Sequence, residues 1–187
     1  KGAPWINWLI YFPAEFIAEG IDQTRCWFYY LHVIATAIKN SNSFQNVIVN
    51  GIVLAEDGKK MSKRLNNYPD PSLMMDKYSA DALRFYLMSS PVVMAETVNF
   101  KESDVADIIR GMMRMLWNSY SFFVLYANID QFDPKEHDIA NVKLTLMDKW
   151  ILSRLNQLVK QVDEDLTAYR IPEPANAITA FVDDLSN

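Results

Sequence analysis

The sequence is short of most groups that build chemistry by themselves. It holds one cysteine, Cys26, and two histidines, His32 and His137. An internal disulfide is therefore excluded, and so is a recognisable zinc cluster, which leaves no protein-held metal. Glycine is scarce, with 5 in 187 residues, and the absence of any GxxxxGKS or GxxxxGKT run rejects a P-loop. No apolar run approaches the roughly 18 residues of a membrane span, and no signal or transit segment opens the chain. These features point to a cytoplasmic protein with no membrane partner. Positive charge is not in excess either: 18 Lys and Arg stand against 23 Asp and Glu, a net charge of -5. A protein that coats nucleic acid takes its affinity from clustered cations, so any phosphate contact here has to be local.

What the sequence does have is apolar content, 50% of its residues, enough for a sizeable core. Phe16-Ile17-Ala18 reads as a short strand that ends at Glu19-Gly20. The stripe Trp27, Leu31, Ile34 and Ile38 predicts a helix over residues 26–38, with His32 among its apolar residues. Residues 47–49, continued past Gly51 by residues 52–54, read as one second strand rich in β-branched side chains. Strand, helix and strand make a βαβ unit, so the strands are expected to be parallel. Glu56-Asp57-Gly58 supplies a turn, with Gly58 free to take positive φ.

Past that turn the pattern becomes helical. Asp70 caps a helix that has Pro71 at its first position. A second cap at Ser79 opens another helix, which Pro91 ends. Residues 103–127 place Val105, Ile108, Ile109, Met112, Leu116, Tyr120, Phe123 and Leu125 on one wide face. Residues 146–168 turn Trp150, Ile151, Leu155, Leu158, Val162 and Leu166 inward, and a last helix follows Pro172 and Pro174. Three long amphipathic helices with short connections predict an antiparallel bundle. The class is α/β followed by all-α. Neither end carries a cap or a tail, so the chain reads as a piece of a longer polypeptide.

Two stretches carry candidate chemistry. Lys60-Met61-Ser62-Lys63-Arg64 sets two lysines three residues apart on a loop leaving a strand, where mobile ammonium groups can meet a polyanion. Such a run is commonly a solvated turn. Glu19, Asp22 and Gln23 lie where a strand ends and a helix begins, the anion- and ligand-facing end of an α/β unit, and acids there also serve as ordinary helix-start residues. Met112, Met113 and Met115 read as bundle packing, and Arg110, Arg114, Lys149 and Arg154 as a solvated face with some reach to a phosphate backbone.

Taken in order, these stretches resemble the class I aminoacyl-tRNA synthetases. Lys60 to Arg64 is similar to their KMSKS signature, with Arg64 in place of the final serine. Ala18-Glu19-Gly20-Ile21-Asp22-Gln23-Thr24-Arg25-Cys26-Trp27-Phe28 resembles the AEGxDQxRGWF segment of the isoleucyl members, with Cys26 where the family has glycine. Asp148-Lys149-Trp150-Ile151-Leu152-Ser153-Arg154-Leu155 resembles the opening of their anticodon-binding helical domain. GIVLAEDGKKMSKRLNNYPDP looks closest to the eukaryotic and archaeal type.

The resemblance implies a C-terminal half of a Rossmann-like nucleotide fold over residues 1–67, a helical connective region over 68–102, and the start of an anticodon-binding helix bundle over 103–187. It implies activation of isoleucine by ATP, brought as its Mg2+ complex, and transfer to tRNA(Ile), with membership of a multi-synthetase assembly open to the parent protein. Lys60 and Lys63 would be catalytic, neutralising phosphate, while Met61 anchors the loop and Ser62 joins the nucleotide site. Glu19, Gly20, Asp22 and Gln23 would line the adenylate, with Val53 and Leu54 offering backbone groups to adenine. Gln23 and Trp27 would wall the amino-acid pocket. The family's other signature, HIGH, is not in the chain, so the segment alone is expected to be inactive, with its loop mobile and empty. A valyl or other class I relative, and a non-catalytic helical RNA-binding module, are the competing readings.

Overall fold

The computed structural model describes residues 12–62 and 64–187. Expectations placed on residues 1–11, and on Lys63, lie outside the described residues. The chain is a mixture of helices and two small parallel sheets, and it divides into two units. The first, here the sheet unit, takes the described residues through Tyr68 together with Ser90–Phe100; the helical unit takes Pro69–Ser89 and Lys101–Asn187.

In the sheet unit β1 (Ala14–Gly20) is followed by a 3-10 turn, Ile21–Arg25, and by α1 (Trp27–Lys39). Asn40 closes α1 in the left-handed region at φ 51, a conformation asparagine tolerates. The chain then returns as β2 (Phe44–Asn50), parallel to β1 in a register that pairs Ile17 with Val47 and Gly20 with Asn50. The expected βαβ unit is present, and its helix is the crossover that parallel pairing requires. Ile17, Phe28 and Ala35 are buried, whereas His32, expected among apolar neighbours, is exposed.

The expected single second strand is two. β2 ends at Asn50, and β3 (Val53–Leu54) leaves the first sheet to pair in parallel with β4 (Val98–Asn99). The switch happens at Gly51, whose N–H donates to the Val92 carbonyl at 2.6 Å, inside the 3-10 turn Pro91–Met94. A Cβ built on Gly51 would run into the backbone of Glu96, so only glycine allows this approach. The partner strand lies more than forty residues away in sequence, which is why local pattern did not reveal it.

The stretch 68–102 is accordingly shared between the two units rather than kept as one region. Its two helices, α2 (Pro71–Tyr78) and α3 (Ala80–Ser89), start as expected: the Asp70 carboxylate accepts from Ser72 N–H at 2.7 Å and Ser79 Oγ accepts from Ala82 N–H at 3.3 Å. In the same unit α4 (Glu102–Ile108) runs through a π-helical turn, Ile109–Met113, into α5 (Arg114–Ile129). The expected continuous helix thus carries one widened, π-helical turn around Gly111. α6 (Leu146–Thr167) begins with a reciprocal Thr145–Asp148 capping box, and α7 (Pro172–Ser186) begins on proline. Ala82 and Val105 are fully buried, and Met74, Tyr86, Met112, Ala175 and Val182 nearly so.

The predicted apolar faces are only half covered. Val105 and Met112 are buried, but Leu116, Tyr120, Phe123 and Leu125 on the same face are exposed, and so are Trp150, Leu155 and Leu166 of the set expected inward. Helical spacing establishes that a face exists; it does not say what covers it. No helix among the described residues is long and apolar enough to cross a membrane.

Candidate functional site

The sheet unit gathers the candidate residues at the carboxyl ends of its parallel strands, the edge at which open α/β sheets take ligands. β1 delivers Glu19 and Gly20 next to Val49 and Asn50 of β2. A Cβ on Gly20 would come within 2.6 Å of Asp22 Oδ1, so the glycine is what lets the Asp22 carboxylate fold back over the strand end. Gln23 is used twice: its Nε2–H donates to Asp22 Oδ2 at 3.0 Å and its Oε1 accepts from Trp27 N–H at 3.1 Å. Those bonds make Gln23 both the brace of Asp22 and the cap of α1. Glu19 and Asp22 are exposed.

Cys26 is also exposed, with φ -128, so the position that carries glycine in the resembling segment does not require positive φ here. The Trp27 ring lies beside Phe28 at 5.8 Å between centroids and lines an apolar groove of about 370 Å³ with Ile17, Leu31, Ile34 and Ile38. Gln23 does not line that groove; it meets Trp27 through the backbone.

β3 carries the site onward. The Leu54 carbonyl accepts from Phe100 N–H at 2.8 Å and Leu54 forms an antiparallel bridge with Lys60. Between them Ala55 N–H donates to the Lys59 carbonyl, and Gly58, at φ 76, completes the turn that the Glu56-Asp57-Gly58 run predicted. Asp57 accepts from Lys59 N–H and pairs with its ammonium at 3.0 Å; those Lys59 bonds hold the Asp57 carboxyl below its ordinary value. Lys60 is exposed and, among the described residues, joins no ion pair. An unpaired ammonium on a turn off a strand end is a group left available for an anion. Met61 and Ser62, next in the chain, are half-buried.

One contributor was not legible beforehand. Asn67 Oδ1 accepts from Ser62 N–H at 2.9 Å and its Nδ2–H donates to the Lys60 carbonyl at 3.2 Å, tying the loop across itself. No motif marks an asparagine seven positions past a lysine, and only the geometry shows it. Among the described residues no group of three or more His, Cys, Asp or Glu is placed to hold a metal ion.

Comparison with known proteins shows the family. Residues 7–99 match the model of class I tRNA synthetases (I, L, M and V), and residues 148–187 match the anticodon-binding domain of tRNA ligases. The chain belongs to the class I aminoacyl-tRNA synthetases. Within them it is most informatively aligned with isoleucine–tRNA ligases: over 176 residues it is 52% identical to that of Bdellovibrio bacteriovorus and 51% identical to that of Chlamydia trachomatis serovar D. The alignments take in 94% of this chain but only 16% and 17% of the relatives, so the chain spans about one sixth of their length. These relatives are bacterial, which corrects the eukaryotic and archaeal expectation. That expectation rested on one short loop segment, and identity spread over most of the chain outweighs it.

Two solved structures share the fold. The Agrobacterium radiobacter K84 LeuRS, solved as a ternary complex with tRNA and LeuAMS, matches with TM-score 0.70 at 19% identity over 92% of this chain and 23% of its own. The Mycobacterium tuberculosis methionyl-tRNA synthetase, in complex with methionyl-adenylate, matches with TM-score 0.70 at 21% identity over 93% and 33%.

Proposed function

We propose that this chain is the segment of an isoleucine–tRNA ligase that carries the C-terminal half of the nucleotide fold and the start of the anticodon-binding bundle. The enzyme activates isoleucine with ATP and transfers it to tRNA(Ile) in the cytoplasm. The observation that carries the reading is the near 50% identity to isoleucine–tRNA ligases over 94% of the chain.

The chemistry needs what the site offers. An isoleucine carboxylate oxygen attacks the α-phosphorus of ATP, the bond from that phosphorus to the bridging oxygen breaks, and pyrophosphate leaves with the electron pair. Negative charge moves onto the leaving group, so catalysis is positioning plus charge stabilisation. Lys60, exposed and unpaired on its turn, is proposed to take that charge together with Lys63. Lysine suits a loop because its charge is compact and its stem flexible. Glu19 and Asp22 are proposed to accept from ribose hydroxyls at the strand ends, with Gly20 and Gln23 beside them; Val53 and Leu54 face adenine, and Met61 and Ser62 seat the loop. Gln23 and Trp27 are assigned to the amino-acid pocket. Mg2+ arrives with ATP as part of the substrate. The residues assigned to the nucleotide fold are 1–67, to the connective region 68–102 and to the bundle 103–187.

Isoleucine-dependent ATP–pyrophosphate exchange by the full-length protein tests the reading. With Lys60→Ala and with Lys63→Ala, kcat is expected to fall about a hundredfold or more, the scale of losing one charge-stabilising group, with KM for isoleucine little changed. Exchange driven by valine rather than isoleucine would reassign the protein to a valyl relative. Undiminished exchange in both variants would favour a non-catalytic role for the loop. The segment alone is expected to show no exchange, and activity above background would reject that part of the assignment.

A further inference from the structure

We infer that Asn67 is a positioning residue for this reaction: its side-chain amide holds Lys60 through Ser62 extended, and so aims the Lys60 ammonium. The inference rests on the role proposed for Lys60. The amide spans Met61, donating to the carbonyl of Lys60 and accepting from the N–H of Ser62. In an extended chain the backbone groups of residues i and i+2 point to the same edge. One primary amide bonded to both therefore imitates a neighbouring strand.

The opposite edge is held by main chain. The Lys59 carbonyl accepts from Ala55 N–H at 2.9 Å and Lys60 bridges Leu54. The stretch is thus fixed from both sides, by β3 on one and by a side chain on the other. Two local features bring that side chain round. Leu65 N–H donates to the Ser62 carbonyl at 3.1 Å, and Asn66 takes the left-handed region at φ 46, which reverses the chain toward Asn67.

Apolar packing of the residues past Lys63 does not do this job. Leu65 is 60% exposed and Arg64 is exposed as well, so neither anchors the loop by packing. Asn67 is itself half-buried and its bond to Ser62 is partly shielded from water, conditions in which removing one partner leaves an unsatisfied N–H. Loss of the amide would release the segment that carries the charge while leaving the charge present.

The test uses the full-length ligase. Asn67→Ala is expected to lower kcat of isoleucine-dependent ATP–pyrophosphate exchange by about ten- to a hundredfold, the scale of a misplaced catalytic group. KM for isoleucine should stay within about twofold, because the loss concerns a transition-state contact and not ground-state binding of the amino acid. Trypsin should cut after Lys60 and Arg64 faster than in the parent. Asn67→Asp keeps the acceptor for Ser62 and loses the donor to Lys60, so its kcat should fall between the two. If Asn67→Ala lowers the melting temperature, Asn67→Asp decides by the same criterion. A parental kcat in these variants, with Lys60→Ala inactive, overturns the inference. If Lys60→Ala stays active, the proposed role of Lys60 fails instead. The proteolysis then judges the clamp alone: faster cleavage supports it and unchanged cleavage overturns it.

Discussion

The sheet unit and the helical unit hold themselves together by different means. In the sheet unit the long-range stitches are mainly backbone to backbone: the β1–β2 and β3–β4 ladders, Gly51 to Val92 and Phe100 to Leu54, with Asn46 Nδ2–H donating to the Glu15 carbonyl beside them. Among the described residues its ion pair Lys59–Asp57 stays within a single turn. Six ion pairs lie in the helical unit, and two of them, Lys77–Glu102 and Arg154–Asp184, join separate helices. Lys77 sits 2.5 Å from Glu102, which also accepts from Tyr78 Oη–H at 2.8 Å. That bonding raises the Lys77 ammonium above its ordinary value and lowers Glu102 below its own. Lys60 has no such partner among the described residues. The sheet unit is braced chiefly by its main chain, whereas in the helical unit charged side chains also join one helix to another.

Breaking the main-chain brace should have the largest effect. Gly51→Ala forces the Glu96 backbone away and disturbs the Val92 bond and the β3–β4 pairing together; we expect a loss of more than about 3 kcal/mol, at the upper end for single substitutions, read as a lower unfolding midpoint with loss of exchange activity. A variant as stable as the parent would show that the strand switch does not depend on glycine. Next comes the pair that separates function from structure. Lys60→Ala should lose about a hundredfold in kcat with its melting temperature unchanged. Lys77→Ala should do the reverse, a measurable drop in thermal stability with exchange within about twofold of the parent, as expected of an exposed pair. If both variants lose activity equally, the contrast between the units fails.

Inside the helical unit, Val105 is fully buried, and Val105→Ala should cost about 2 kcal/mol from lost burial and the cavity left behind, measured by denaturant unfolding. The smallest effect is on pH. Glu102 is held below its ordinary 4.5 by Lys77 and Tyr78, and Asp148 below 3.8 by Thr145. A lowered carboxylate contributes stability that is present above its unfolded value and lost as pH falls through the folded one. Stability should therefore decline from about pH 4.5 downward, and Glu102→Gln should shrink the part of that decline due to Glu102. An unchanged acid limb in Glu102→Gln would show that the Lys77 pair does not help hold the unit.

Much of this was legible in advance because it is local. Asp70 and Ser79 as caps, Pro71 at a helix start, Gly58 in a turn and the parallel βαβ unit all follow from preferences acting over a few residues, and all are present. The lysine loop could be picked out as a candidate for the same reason. Three things could not be read: that the strand breaks at Gly51, that residues 98–99 pair with β3, and that Asn67 ties the loop. Each depends on groups made neighbours by the fold or by a turn that no short pattern encodes.

By itself, then, the sequence determined the helices with their caps, the presence of the parallel βαβ unit, and which charges sit at strand ends, since propensity, capping and spacing operate along the chain. The tertiary structure decided which strand meets which, and that Lys60 joins no ion pair among the described residues. Close approach at Gly51, the ladder to Val98–Asn99 and the two-sided hold on Lys60 arise only when distant backbone groups are brought within hydrogen-bonding reach.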